Sequence, residues 1–176
     1  MKEQEVNSNC CSVAENQPCS LPSGKPGLCP ECRTKCKAVA TLTVKSLVRD
    51  HTAVPAAAQF LFCRTPDCEV VYFSDRVLFK KPDLKVLVGA KETTGPVPLC
   101  YCFEYDREDI RRDMDATGNA TILEKIKAEV QGGFCACEVK NPSGACCLGD
   151  ITRAIQEFKR HTSQTRDATP IETGQR

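Results

Sequence analysis

The sequence predicts an α+β protein made of two small modules, a strand-rich module followed by a helical one. Three observations support this prediction. The 176 residues are enough for one ordinary domain or two small ones. Short β-branched and aromatic runs fill the region from about residue 37 to residue 90, whereas later apolar residues recur at helical spacing. Finally, the chain has 14 cysteines, which can hold together modules too small for a large apolar core.

The strand-rich part, called the first module, is predicted to span residues 28–90. Its predicted strands are QFLFC, EVVYF, RVLFK and KVLVG, which are separated by Pro, Asp and Ser turns. The run LTVKSLV fits either a strand or one helical turn. Residues 91–98, KETTGPVP, contain two prolines and a glycine and are predicted to be a linker.

The helical part, called the second module, is predicted to span residues 99–160. Asp106 and Asp109 indicate an N-cap with an acidic first turn, and Gly118 is placed to end that helix. A second helix is predicted to open at Thr121, with Glu124 completing a capping box. A third helix is predicted to begin at Asp150. The apolar stripes of the three helices are Ile110 and Met114; Ile122, Ile126 and Val130; and Ile151, Ala154, Ile155 and Phe158.

Charge and hydropathy exclude several classes of function. The 24 basic and 23 acidic residues nearly balance, so no basic field exists to attract nucleic acid, and we expect no nucleic-acid partner. The most apolar run, AVPAAAQFLF, is short and is interrupted by Pro55 and Gln59, so we expect no membrane insertion. The N-terminal residues lack the apolar core of a secretory signal, and the expected localisation is therefore cytoplasmic. Reduced cysteines there indicate metal or redox chemistry, with a secreted, disulfide-linked protein as the alternative.

Two cysteine pairs in the first module indicate a metal site. Cys29 and Cys32 enclose Pro-Glu, and Cys63 and Cys68 enclose Arg-Thr-Pro-Asp. Two such turns can supply the four sulfurs of a tetrahedral structural zinc site, which leaves no open position for a substrate. Nearby residues offer weaker alternatives as ligands, namely Cys36, Asp67 and His51.

A second group of cysteines lies in the second module. Cys100 and Cys102 alternate along an extended segment, so that both thiols can bind one iron. The turn Asn-Pro-Ser-Gly brings Cys137 back toward Cys147, and this second pair would hold the other iron of a 2Fe-2S cluster. The helices that follow would direct their N-H groups toward an anionic cluster. Spacing alone does not exclude Cys135 or Cys146 as ligands.

The order CPEC, CRTPDCEVVYF, CYCF and CEVKNPSGACCLGD resembles the N-terminal region of the CopZ-type copper chaperones, which carry zinc and a 2Fe-2S cluster. The second half also resembles the bacterioferritin-associated ferredoxin fold. The resemblance covers about residues 29–158. It implies Cys29, Cys32, Cys63 and Cys68 for Zn²⁺, and Cys100, Cys102, Cys137 and Cys147 for the cluster.

The resemblance implies a metallochaperone-like protein that handles a thiophilic metal, with copper as Cu⁺ the expected transient cargo. A metal-transporting or redox protein is the expected partner, and no enzymatic activity is expected, because neither His51 nor His161 is placed as a base beside a thiol. In the family's copper chaperones a domain with a Met-x-Cys-x-x-Cys loop follows, and this sequence contains no such motif.

The terminal segments 1–27 and 161–176 are polar and are predicted to be disordered. Cys10, Cys11 and Cys19 fall in the first of them, where they either bind Cu⁺ as soft thiolates or have no role. The alternative function is a ferredoxin-like electron-transfer module that serves a reductase or an iron-storage partner.

Overall fold

The first module contains a four-stranded antiparallel sheet and one short helix. The structure, a computed structural model, describes residues 27–166. The strands are β1 (Lys37–Val39), β2 (Phe60–Phe62), β3 (Val70–Phe73) and β4 (Leu78–Lys80), and they are hydrogen-bonded in that order. Helix α1 (Thr41–Leu47) follows β1 and packs against the sheet through buried Val44.

The structure resolves one open prediction for the first module and contradicts another. The run LTVKSLV, left open between strand and helix, forms α1, because Val44 and Leu47 lie three residues apart on one buried face. The predicted strand KVLVG is wrong. Leu84 makes an isolated bridge to Val48, and the chain then turns through Gly89–Lys91. The core of this module contains Val39, Val44, Val48, Val54, Phe60, Phe62, Val71, Tyr72, Phe79, Leu84 and Val88.

The second module begins with a hairpin of β5 (Pro98–Cys100) and β6 (Tyr105–Asp106) and continues with helices α2 (Arg107–Thr117), α3 (Thr121–Gln131), α4 (Cys137–Lys140) and α5 (Leu148–Arg166). The cap of α2 is confirmed: Asp106 and Asp109 form a capping box, and Gly118 ends the helix with a left-handed φ of 71°. Helix α5 begins at Leu148 instead of Asp150. It continues to Arg166, past residue 161, where the polar tail is predicted to start.

Helix α3 begins at Thr121 as predicted, but the predicted capping box of Thr121 and Glu124 is wrong. Ala120 is the N-cap residue, and it makes no side-chain cap. The carboxylate of Asp113, on α2, instead accepts hydrogen bonds from the Thr121 hydroxyl and, at 2.9 Å, from the N-H of Ile122. The predicted stripe Ile122, Ile126 and Val130 is buried in the second core with Ile110, Ile151, Ala154 and Ile155.

Candidate metal centres

The first centre consists of the thiols of Cys29, Cys32, Cys63 and Cys68. Their sulfur atoms all lie within 4.8 Å of one another. The Sγ atoms of Cys29 and Cys68 are 3.7 Å apart, and those of Cys32 and Cys63 are 3.6 Å apart. Two sulfurs bound at about 2.3 Å to one tetrahedral zinc ion lie about 3.8 Å apart, so this donor set fits zinc.

Local turns place these four thiols. The N-H of Cys29 donates to Thr34 O, and the N-H of Arg33 donates to Cys29 O, which closes a tight turn with Arg33 at a positive φ of 60°. Cys63 follows directly after β2, and Cys68 comes two residues before β3. The second pair is therefore carried by the connection of the β2–β3 hairpin, where Cys63 N-H donates to Val71 O at 3.0 Å.

The surroundings of the first centre are poorly suited to several thiolates without a cation. Burial raises the pKa of Cys29 and raises that of Cys68 to about 12. By contrast, hydrogen bonding with the hydroxyls of Thr34 and then Thr65 lowers the pKa of Cys32 to about 5. Four thiolates therefore require a positive ion, because an isolated anion is expensive to desolvate.

Lys91 is a residue of this centre that sequence reasoning missed. Its side chain is only 2% exposed, and its ammonium donates to Thr65 O and Cys68 O, both at 2.9 Å. The ammonium thus closes the turn between Cys63 and Cys68. It also places a positive charge beside a set of thiolates that one Zn²⁺ would leave with excess negative charge. Nothing in KETTGPVP distinguishes Lys91 from an exposed linker lysine.

The alternative ligands of the first centre are outside the group of four. Cys36 is buried in the same cluster, but its thiol donates to Thr34 O at 3.3 Å. Burial, followed by repulsion from the neighbouring thiols, raises the pKa of Cys36 to about 12. His51 and Asp67 are exposed.

The second centre is built around two close sulfur pairs. Cys147 donates to the sulfur of Cys100 at 3.2 Å, and the sulfurs of Cys102 and Cys137 are 3.7 Å apart. That Cys100 and Cys102 share one iron stays a prediction; in the structure, each of them lies close to a thiol of the later loop. The reason is local: β5 ends at Cys100, and the chain turns before Cys102, so the alternation of an extended strand does not continue.

The thiols of the second centre differ in exposure and form hydrogen bonds with one another. Cys100 and Cys147 are each 1% exposed, whereas Cys146 is exposed. The hydrogen bond from Cys147, acting against burial, lowers the pKa of Cys100 to about 7. Hydrogen bonds to Cys100, Cys137 and Cys146 raise the pKa of Cys147. The N-H of Ala136 also donates to the Cys102 sulfur at 3.2 Å, which is the kind of contact that stabilises a bound thiolate.

The four thiols of the second centre fit a two-iron cluster. They form two pairs, and the 3.7 Å separation of Cys102 and Cys137 suits two sulfurs on one tetrahedral iron. Cys135 is half-buried beside this centre, and Cys146 lies in contact with Cys137 and Cys147. Cys10, Cys11 and Cys19 lie outside the described residues. No helix within residues 27–166 is both long and apolar enough to cross a membrane.

The fold and the first centre define a small α+β metal-binding protein with a four-cysteine, zinc-type site. Residues 26–85 match the CopZ family described as a zinc-binding domain. The copper chaperone CopZ of Archaeoglobus fulgidus is 37% identical over 125 residues, which cover 71% of this chain and 60% of that protein. The crystal structure of the N-terminal domain of the same protein is 36% identical, with a TM-score of 0.62, and the match covers 72% of this chain and 95% of that domain. The chain belongs to the CopZ N-terminal-domain family.

Proposed function

We propose that this chain is a metallochaperone-like protein with two resident metal centres, handling a thiophilic metal that we infer to be copper. The observation that carries the proposal is the group of four thiols in the first module. Two close sulfur pairs in the second module support it. The A. fulgidus relative is a copper chaperone, which supports copper as cargo, and the chain spans 60% of the length of that relative.

In the first centre, Cys29, Cys32, Cys63 and Cys68 would hold zinc as a fold-stabilising ion. Four sulfurs complete a tetrahedron and leave no position for water, so the site is structural and not catalytic. In the second centre, Cys100, Cys102, Cys137 and Cys147 would hold a 2Fe-2S cluster in a ferredoxin-like helical module. Such a cluster supplies one-electron redox chemistry when bound. The eight proposed ligands are all free thiols. The proposed location is the cytoplasm, where reducing conditions keep thiols available to metal, and the proposed role is not enzymatic.

Metal analysis tests the two resident centres. Protein purified without oxygen is expected to contain about one zinc and two irons per chain and to give an EPR signal after reduction with dithionite. Colourless, iron-free protein that does not take up iron and sulfide on reconstitution would contradict the second centre while leaving the zinc assignment intact.

A copper titration tests the cargo. Cys10, Cys11 and Cys19 are candidate Cu⁺ ligands, because soft thiolates favour this ion. The reduced protein is expected to bind Cu⁺ more tightly than a variant in which these three residues are changed to Ser. Equal affinities of the two proteins would contradict Cu⁺ binding by these three cysteines.

The second candidate function is an electron-transfer module that serves a reductase or an iron-storage partner. The burial of Cys100 and Cys147 beside exposed Cys146 favours it, because such a centre is shielded from water on one side and near the surface on the other. Deletion of residues 1–27 separates the two functions. If the shortened protein reduces its partner as well as the full chain does and also binds Cu⁺ equally well, electron transfer alone is supported. If the deletion abolishes Cu⁺ binding, the chaperone function is supported.

A further inference from the structure

The loop between Cys137 and Cys147 is ordered from within by one buried side chain. Asn141 is 4% exposed, and its amide donates to Ala145 O at 2.8 Å. Its side-chain oxygen accepts from the N-H of Ser143 at 3.0 Å. These bonds shape the turn, but they do not fix its position relative to Cys100 and Cys102.

Two buried hydroxyls of the first module reach across to this loop. Thr43, on α1, donates to Glu138 O at 2.6 Å, and Tyr72, on β3, donates to Pro142 O at 2.7 Å. Both side chains are 0% exposed. In a continuous helix, Glu138 O would accept from the N-H of residue 142, but that residue is proline and has none. Thr43 supplies the missing donor.

The loop also approaches the first module too closely for a larger residue at position 144. Gly144 has a φ of 66°, and a Cβ atom there would lie 2.9 Å from Thr43 Oγ1 and 3.3 Å from a methyl group of Val39. The glycine therefore serves two purposes, since it permits the left-handed turn and lets the loop rest on α1.

The surface that receives the loop is tied to the first metal centre. Tyr72 pairs with Phe62 across the β2–β3 hairpin, and the connection of that hairpin carries Cys63 and Cys68. Val44, next to Thr43, packs in the same core as Tyr72. An ion that fixes the hairpin connection therefore also fixes both hydroxyl donors.

From these contacts we propose that the first module is a platform for the second metal centre. Thr43 and Tyr72 are positioning residues: they hold the loop that carries Cys137 and Cys147, so that metal bound at the first centre slows loss of iron from the second. This inference rests on the 2Fe-2S cluster of the proposed function.

Isosteric variants test the two hydroxyls. T43V and Y72F remove one donor each and keep the shape, whereas the matched control T41V removes the bond from Thr41 to Ala58 O, which stays inside the first module. In anaerobically reconstituted protein with an iron chelator in excess, we expect T43V and Y72F to lose visible absorption about tenfold faster than wild type, the effect of one buried hydrogen bond. T41V should match wild type, and zinc content should be equal in all four proteins. Unchanged rates in T43V and Y72F would overturn the inference.

Amide hydrogen exchange tests the platform without iron. The N-H groups of Asn141 and Gly144 are bonded within the loop, to Cys137 O and Asn141 O. We expect both amides to exchange faster in T43V and Y72F than in T41V, and faster in zinc-stripped wild type than in the zinc-loaded protein. If the loop amides stay protected from exchange while the amides of the first module exchange freely, the platform proposal is wrong. If the protein never takes up iron but the loop amides exchange faster after zinc removal, the proposed cluster is contradicted and the platform proposal is supported.

Discussion

At the scale of single residues, the best test of the first centre is the buried Lys91. K91M keeps most of the volume but removes the ammonium that donates to Thr65 O and Cys68 O. Thr65 O keeps only the N-H of Cys68. We expect the free energy of unfolding to fall by about 2–4 kcal/mol, because a buried and a part-buried carbonyl lose a charged partner. Zinc affinity should also fall, since the hairpin connection is no longer held closed.

The matched control is K85M. The ammonium of Lys85 also donates to a carbonyl, Ser46 O, but at an exposed position. We expect its free energy of unfolding to stay within about 0.5 kcal/mol of wild type. Chemical denaturation of the zinc-loaded proteins measures both. Equal losses in K91M and K85M would mean that burial of Lys91 has no structural role.

Exposure separates the neighbours Cys146 and Cys147 as ligands. Cys147 is 1% exposed and contacts the Cys100 sulfur, whereas Cys146 lies at the surface. After anaerobic reconstitution, C146S is expected to retain the iron content and visible spectrum of wild type, and C147S to lose most of its iron. The reverse result would assign the ligand to Cys146.

At the scale of secondary structure, Asp113 links α2 to α3. D113A removes the acceptor for the N-H of Ile122 and the hydroxyl of Thr121. We expect a loss of about 1 kcal/mol, typical of a helix cap. D115A is the control, because Asp115 pairs with Arg111 at the surface. Thermal unfolding of both variants checks the difference, and an effect of D115A as large as that of D113A would rule out a special role for the cap.

The same carboxylate gives a pH dependence. Burial alone would raise the pKa of Asp113, but hydrogen bonds from Thr121 and Ile122 lower it overall. A carboxyl whose pKa is lower when folded stabilises the protein above its unfolded pKa of about 3.9, and this contribution is lost as the pH falls below that value. The stability difference between wild type and D113A should therefore shrink between about pH 5 and pH 2. A constant difference over that range would show that the charge is not involved.

The sequence predicts those elements whose signals are local. The Asp106 cap, the Gly118 end of α2 and the buried stripe of α3 depend on residues within one helix, and the structure has all three. The cap of α3 comes from Asp113 in another helix, and no local pattern reveals it. For the same reason, Lys91 looks like a linker residue until tertiary contacts bury it.

The candidate sites follow the same division. Two short cysteine pairs predict a four-sulfur group, and the structure brings those four thiols together. The pairing of Cys100 with Cys147 and of Cys102 with Cys137 depends on where the loop docks. That docking is set by hydroxyls about 70 to 95 positions away in sequence, which spacing arguments do not reach.

At the scale of the whole molecule, metal removal is expected to act first on the first module. Zinc binding contributes roughly 10–16 kcal/mol of apparent free energy in small modules, comparable with the total stability of about 5–15 kcal/mol of a typical protein. Chelation should therefore abolish the cooperative unfolding transition of residues 28–90. Circular dichroism during heating, with and without chelator, measures it. A transition that survives complete zinc removal would show that the apolar core is sufficient.

The position of Lys91, one residue beyond the predicted module boundary, has a practical consequence for anyone who divides this chain for separate expression. A fragment that stops at residue 90 lacks the ammonium that donates to Thr65 O and Cys68 O, and the hydroxyls of Thr43 and Tyr72 lose their acceptors. Low stability of such a fragment would therefore result from the position of the cut. The two halves are better compared by point substitution in the intact polypeptide.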